Sequence, residues 1–208
     1  MLIFFAWRCK LQEVQLAGFA ALRLLTTGRI ERSVRLREGS VKHLYFLRHA
    51  KSDWSAGFSS DHERPLAPRG EHAASEIGRF LTAIDQEPES VIASTAVRAR
   101  STAELAKEAG GWKTEIETSR DFYEAVPGTL LLTIRRQPDE ISRLLLVGHQ
   151  PTWSEAVGLF VGGAEVKMVT AALARVDLGI ERWEDAAFGR GVMCWLVTPK
   201  LLARESES

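Results

Sequence analysis

Residues 43–52 read HLYFLRHAKS: an apolar run with the length of a buried strand that stops abruptly on Arg48 and His49. The pattern recurs twice. VIAS at 91–94 is followed closely by Arg98, and LLLVG at 144–148 runs straight into His149. Between the first two runs, Ala73, Ile77, Phe80, Leu81 and Ile84 share one face of a helix that Pro68 and Gly70 introduce. After the second, Ala99, Thr102, Ala103, Leu105 and Ala106 predict a helix that must stop at Gly110 and Gly111. Further helices are expected over about 129–136 and 153–160, and further strands from Ala171 to Val176 and from Val192 to Val197. This alternation predicts an α/β domain with a mainly parallel central sheet flanked by helices. In such sheets a ligand sits beyond the carboxyl ends of the strands, where Arg48, His49, Arg98 and His149 would converge.

That domain is expected over residues 41–200, with 201–208 as a polar tail. Residues 1–40 read as an extension and linker. Met1 to Trp7 is apolar, but the basic residues Arg8 and Lys10 follow it, the wrong order for a signal peptide. Leu11, Val14, Leu16, Phe19, Leu22 and Leu25 have near-helical spacing, yet the stretch is too interrupted to span a bilayer. The whole chain has 208 residues, and its 27 basic and 27 acidic residues cancel. Overall charge therefore gives no reason to expect a nucleic-acid partner or a membrane surface, and functional charge must be local. Cys9 and Cys194 are too few for a disulfide framework and lack metal-binding spacing, which suits a cytoplasmic protein.

Two arginines and two histidines at adjoining strand ends define an anion site. Guanidinium groups hold the oxygens of a phosphoryl group through paired, charge-assisted bonds and so fix phosphorus for in-line attack. Imidazole is uncharged at neutral pH yet nucleophilic, which makes His49 the natural attacking group without a metal or cofactor. Ser94 is expected to cap the helix that follows it and to add amide dipoles to the same place. His43, His62 and His72 show no helical metal-ligand spacing with His49, and no metal site is expected.

In their order along the chain these motifs resemble the histidine phosphatase superfamily, which includes the phosphoglycerate mutase-like enzymes. The residues carrying the resemblance are Arg48-His49-Ala50, then Ser94, Arg98, Thr102 and Ala103, then Gly148-His149. The resemblance implies a phosphoglycerate mutase-like fold, His49 as the phosphorylated nucleophile, Arg48 and Arg98 as phosphate clamps, and His149 as a second pocket imidazole. Arg64-Pro65-Leu66 and Arg69-Gly70 are similar to the SixA-like phosphohistidine phosphatases, which implies a signalling protein bearing phosphohistidine as substrate. Only about a dozen residues separate the first strand region from Arg64, so no cap domain is expected. Ala50 stands where the family usually has Gly, so the backbone there should not need positive φ. Glu124 matches the family's acid position only loosely and is carried as a candidate general acid.

Ser52, Trp54 and Arg64 are expected at the pocket mouth, and Phe58 and Arg69 either line it too or merely pack. Cys194, within an apolar run, reads as a buried core residue. The leading function is phosphohistidine hydrolysis. The alternatives are a phosphatase of small phosphorylated metabolites, which shares the first chemical half, and a phosphate-binding signalling module with little turnover.

Overall fold

The computed structural model describes residues 41–202, so the readings of residues 1–40 and of residues 203–208 lie outside the described residues. Six strands form one sheet in the order β3-β2-β4-β1-β5-β6. The strands are β1 (Lys42–Arg48), β2 (Ser90–Ser94), β3 (Ile116–Ser119), β4 (Arg143–Gly148), β5 (Leu173–Leu178) and β6 (Gly191–Val197). The first four run parallel, whereas β5 and β6 add an antiparallel pair at one side. Helices α1 (Pro68–Ala83), α2 (Val97–Gly110), α3 (Pro127–Arg135), α4 (Thr152–Phe160) and the short α5 (Pro199–Leu202) complete the domain.

Each central strand is apolar on both sides because helices cover both faces. From β1, Leu44 and Phe46 pack with Leu130 and Ile134 of α3 and Trp153 and Phe160 of α4. The intervening Tyr45 and Leu47 pack on the other face, with Ile77 and Leu81 of α1 and Ala99 and Ala103 of α2. Each such large side chain contributes roughly 1.5–3 kcal/mol of transfer free energy when fully buried. Helix α1 approaches so closely that a Cβ on Gly70 would lie 2.1 Å from the Lys51 carbonyl oxygen. Glycine is required there to seat the helix against the turn that leaves β1.

Two expectations need correction, and one strand was not anticipated. The strand placed at Ala171 to Val176 runs from Leu173 to Leu178, because Ala171 takes a left-handed φ of 56° that no strand accommodates. Cys194 is exposed rather than buried. It lies on the sheet's edge strand at a bulge, where the register jumps from the Arg175–Trp195 pair to Val176–Met193 and leaves one residue over. Strand β3 carried no clear sequence signal, since its residues Ile-Glu-Thr-Ser offer a single aliphatic side chain at the opposite edge.

Candidate active site

Strands β2, β4 and β1 are neighbours, and their carboxyl ends deliver Ser94, His149 and His49 to one place. The main chain of His49 is pinned from both sides: its N–H donates to the Gly148 carbonyl at 2.9 Å and its carbonyl accepts from Ala171 at 3.2 Å. Gly148 itself cannot be larger, because a Cβ there would meet the Trp153 ring at 2.1 Å. The next residue, Ala50, is fully buried, is absent from the positive-φ positions, and donates its N–H to Thr102 Oγ1 at 3.0 Å. Thr102 in turn donates to the Arg98 carbonyl at 2.6 Å, so the Ser-x-x-x-Arg-x-x-x-Thr element locks α2 to the turn after the nucleophile strand.

The His49 and His149 rings lie 5.1 Å apart between centroids. Nδ1 of His49 is 2.8 Å from the Ala50 carbonyl. A carbonyl only accepts, which assigns the ring proton to Nδ1 and leaves the lone pair on Nε2. Burial pushes the His49 pKa down to about 4, helped by Arg98, Arg48 and Arg64 and opposed by the Ala50 bond. His149 is lowered to about 3, first by burial and then by His49 and Arg98. Its Nε2 is 2.9 Å from Ser94 Oγ, and that oxygen already accepts from the Ala96 N–H at 3.3 Å. Where the Ser94 hydroxyl donates to Nε2, the ring proton of His149 lies on Nδ1, the atom that has no protein partner. Ser94 is not the helix cap expected from sequence: α2 begins at Val97, its N-cap is Ala96, and Ser94 holds His149 instead.

Arg48 donates through Nη1 to the Met168 carbonyl at 2.9 Å, and burial lowers its pKa. Arg98 is only 6% exposed in the first turn of α2, where a cation opposes the helix dipole and needs an anion nearby. Asp61 supplies one: its carboxylate accepts from Arg98 Nη2 at 3.1 Å and from Arg64 Nη2 at 2.9 Å. Partial burial works against the charge of Asp61, but Arg98 and Arg64 hold its pKa below the usual carboxylate value. Among the described residues, Arg48 Nε, Arg98 Nε and His149 Nδ1 are buried without a hydrogen-bond partner. Arg98 and His149 line one cavity, and Arg48 and Arg98 both act on His49. Buried polar atoms are ordinarily satisfied, so orphaned nitrogens on these three side chains suit an anionic ligand with several acceptor oxygens.

The residues expected at the mouth divide. Arg64 and Ser52 are 6% and 5% exposed and bond to each other beneath the surface, closer to the centre than anticipated. Trp54 is 68% exposed and stacks on Arg64, whose guanidinium carbon is 3.6 Å from the ring centre. Arg69 is not at this mouth; it lines a separate cavity. Glu124 is exposed at a left-handed φ of 60° and lines, with His149, Arg98, Tyr123 and Asp61, a cavity of about 430 Å³. Sequence reasoning missed Asp61 and Tyr123. Asp61 had a signal, an acid three residues before Arg64, and Tyr123, whose ring lies 5.7 Å from that of His149, had none beyond its neighbour Glu124.

The depressed histidines make a stability prediction. Unfolded histidine takes up a proton near pH ~6.5, whereas folded His49 and His149 resist until about 4 and 3. Between pH 6.5 and 4 the unfolded chain binds more protons, so stability falls with falling pH, by at most about 1.4 kcal/mol per pH unit per histidine. Above pH 6.5 the two make no pH-dependent contribution. Urea unfolding at pH 7.5, 6.0 and 5.0 should show this slope, and His149→Asn should reduce it; a flat profile in the native protein would contradict the burial of both rings.

The sequence model of the histidine phosphatase superfamily, branch 1, matches residues 44–193. This chain belongs to that superfamily. An uncharacterized protein of Mycobacterium tuberculosis is 43% identical over 108 residues, which cover 52% of this chain and 65% of that protein's length. The match therefore spans just under two thirds of that relative. A crystal structure assigned as the phosphohistidine phosphatase SixA of Agrobacterium tumefaciens superposes with a TM-score of 0.65 at 26% identity, over 76% of this chain and 98% of that one. One assigned as SixA of Nakamurella multipartita gives a TM-score of 0.67 at 25% identity, over 77% and 98%. The fold is that of the phosphoglycerate mutase-like proteins, and no helix of the described residues is long and apolar enough to cross a membrane.

Proposed function

We propose that this protein is a phosphatase that hydrolyses phosphohistidine on a protein through a phosphorylated His49. The observation that carries the reading is the neutral, oriented His49 imidazole, with Nε2 free, beside the unpartnered buried nitrogens of Arg48, Arg98 and His149. Nε2 attacks phosphorus as the P–N bond to the substrate imidazole breaks, and the leaving ring takes a proton from water. Water then attacks the phosphorus on His49, releasing inorganic phosphate and a proton and restoring the neutral ring. Arg48, Arg98 and the His149 N–H meet the equatorial oxygens in both steps.

The substrate class follows from proton supply. Asp61 is held ionised by its two arginines and is a poor acid, whereas an alkoxide leaving group needs a good one. A phosphoimidazole leaves with far less help. The SixA-like neighbours support the same substrate, and the uncapped pocket leaves room for a protein side chain. The second reading, a phosphatase of small phosphate monoesters, is favoured by one observation: Glu124 lines the cavity with His149 and could serve as its acid.

The two separate in one assay. With EDTA present, the protein should rapidly clear phosphate from a phosphohistidine-bearing phosphocarrier protein and barely cleave para-nitrophenyl phosphate. Brisk ester cleavage abolished by Glu124→Gln would transfer the assignment to the monoester reading, and inactivity on both would remove the enzyme reading in favour of a binding module.

A further inference from the structure

On the β5 side of the same sheet end lies a second cavity, about 510 Å³, which the mechanism above does not use. Lys51, Arg69 and Lys200 contribute three cations to its lining, and Ala73, Val169 and Pro199 contribute apolar surface. Among the described residues, no Asp or Glu lines it, and none of the three cations has a carboxylate partner. The exposed Arg79, Arg100 and Arg182, by contrast, each pair with an acid close by in sequence. Three cations gathered without counter-charge repel one another, at a modest cost that a bound anion would remove.

The cavity shares a wall with the catalytic turn. Lys51 is two residues beyond His49, and its carbonyl accepts the Ala67 N–H at 2.8 Å, just before α1. Val169 follows Met168, whose carbonyl holds Arg48 at 2.9 Å. Whatever presents a phosphoryl group to His49 therefore lies beside this groove. The volume is far more than one phosphate fills, and Val169 is 41% exposed, so the surface suits a short chain segment with both apolar and carboxylate side chains.

We infer that the groove formed by Lys51, Arg69 and Lys200 is a docking subsite for an acidic segment flanking the phosphohistidine of the substrate protein. The inference rests on the phosphohistidine reading given above. Its contribution is to recognition: complementary charge at a rim raises the encounter rate and lowers KM, and salt screens it. The chemical step, which involves none of the three side chains, should be indifferent to it.

The test uses two phosphohistidine peptides that differ only in three flanking residues, Glu in one and Lys in the other, together with free phosphohistidine. The native protein should favour the Glu peptide at least ten-fold in kcat/KM, mainly through KM, and the preference should shrink in 0.5 M salt. The double variant Arg69→Glu, Lys200→Glu should lose or reverse that preference while hydrolysing free phosphohistidine at the native rate. Equal rates on the two peptides, or a loss in the double variant that is as large on free phosphohistidine, would overturn the proposal. So would a preference seen only after removal of residues 203–208, which carry Glu205 and Glu207, since the groove would then belong to the chain's own carboxyl end. Failure of the native protein on both peptides and on free phosphohistidine would instead remove the phosphohistidine reading, and this inference with it.

Discussion

His49→Ala should lower phosphohistidine turnover by on the order of a thousand-fold or more, with the fold intact. The expectation follows from what surrounds the ring. His49 is 8% exposed, its proton is committed to the Ala50 carbonyl, and its main chain is tied to Gly148 at the end of β4 and to Ala171 ahead of β5, so no other nitrogen can be moved into its place. His149 is close, at 5.1 Å between ring centroids, but its Nε2 is engaged by Ser94, and with the Ser94 proton donated to Nε2 its Nδ1 is a donor rather than a nucleophile. Rapid quenching of the native protein with labelled substrate should trap acid-labile, base-stable phosphate on the chain. The variant should trap none. A variant that retains near-native turnover, or still becomes labelled, would assign the attack to another group and leave His49 as a binding residue only.

Much of this arrangement was legible because parallel strands buried on both faces are written as continuous apolar runs. A polar residue that ends such a run is conspicuous, and it lies where α/β sheets bind ligands. Arg48, His49 and His149 were readable for that reason, and Arg98 because a cation in a helix's first turn is out of place without an anion. Proximity across the chain left no such trace. Asp61 belongs to a one-turn 3-10 segment (Asp61–Glu63) whose bond to Arg64 is local but whose bond to Arg98 joins residues 37 apart. The role of Ser94 was misread because the same hydroxyl can cap a helix or hold an imidazole, and only the fold decides which partner arrives. The groove at Lys51, Arg69 and Lys200 draws on three elements, each with one ordinary surface cation, and no local pattern marks it.

The Asp61 bridge makes the other large effect more than the removal of a clamp. Arg98→Ala should cost about 2–4 kcal/mol of transition-state stabilisation, a fall in kcat/KM of about 30- to 1000-fold, by the scale of a lost oxyanion donor. Lysine at this position should recover only part of it, because an ammonium cannot both fork onto phosphoryl oxygens and keep the bond from Nη1 to the Asp61 carbonyl at 2.6 Å. In Arg98→Ala the Asp61 carboxylate also loses one of its two cations and faces the incoming phosphoryl group with only Arg64 to offset its charge. Repulsion should then add to the missing attraction. If so, the double variant Arg98→Ala, Asp61→Asn should be several-fold faster than Arg98→Ala alone, although Asp61→Asn by itself should slow the native protein by releasing Arg98 and Arg64 from their positions. Steady-state kinetics on the four proteins of this cycle, with urea unfolding to confirm that each is folded, measure the coupling directly. Additive effects would mean that Asp61 is only a structural partner of Arg64, and that the anion pocket is set by its cations alone.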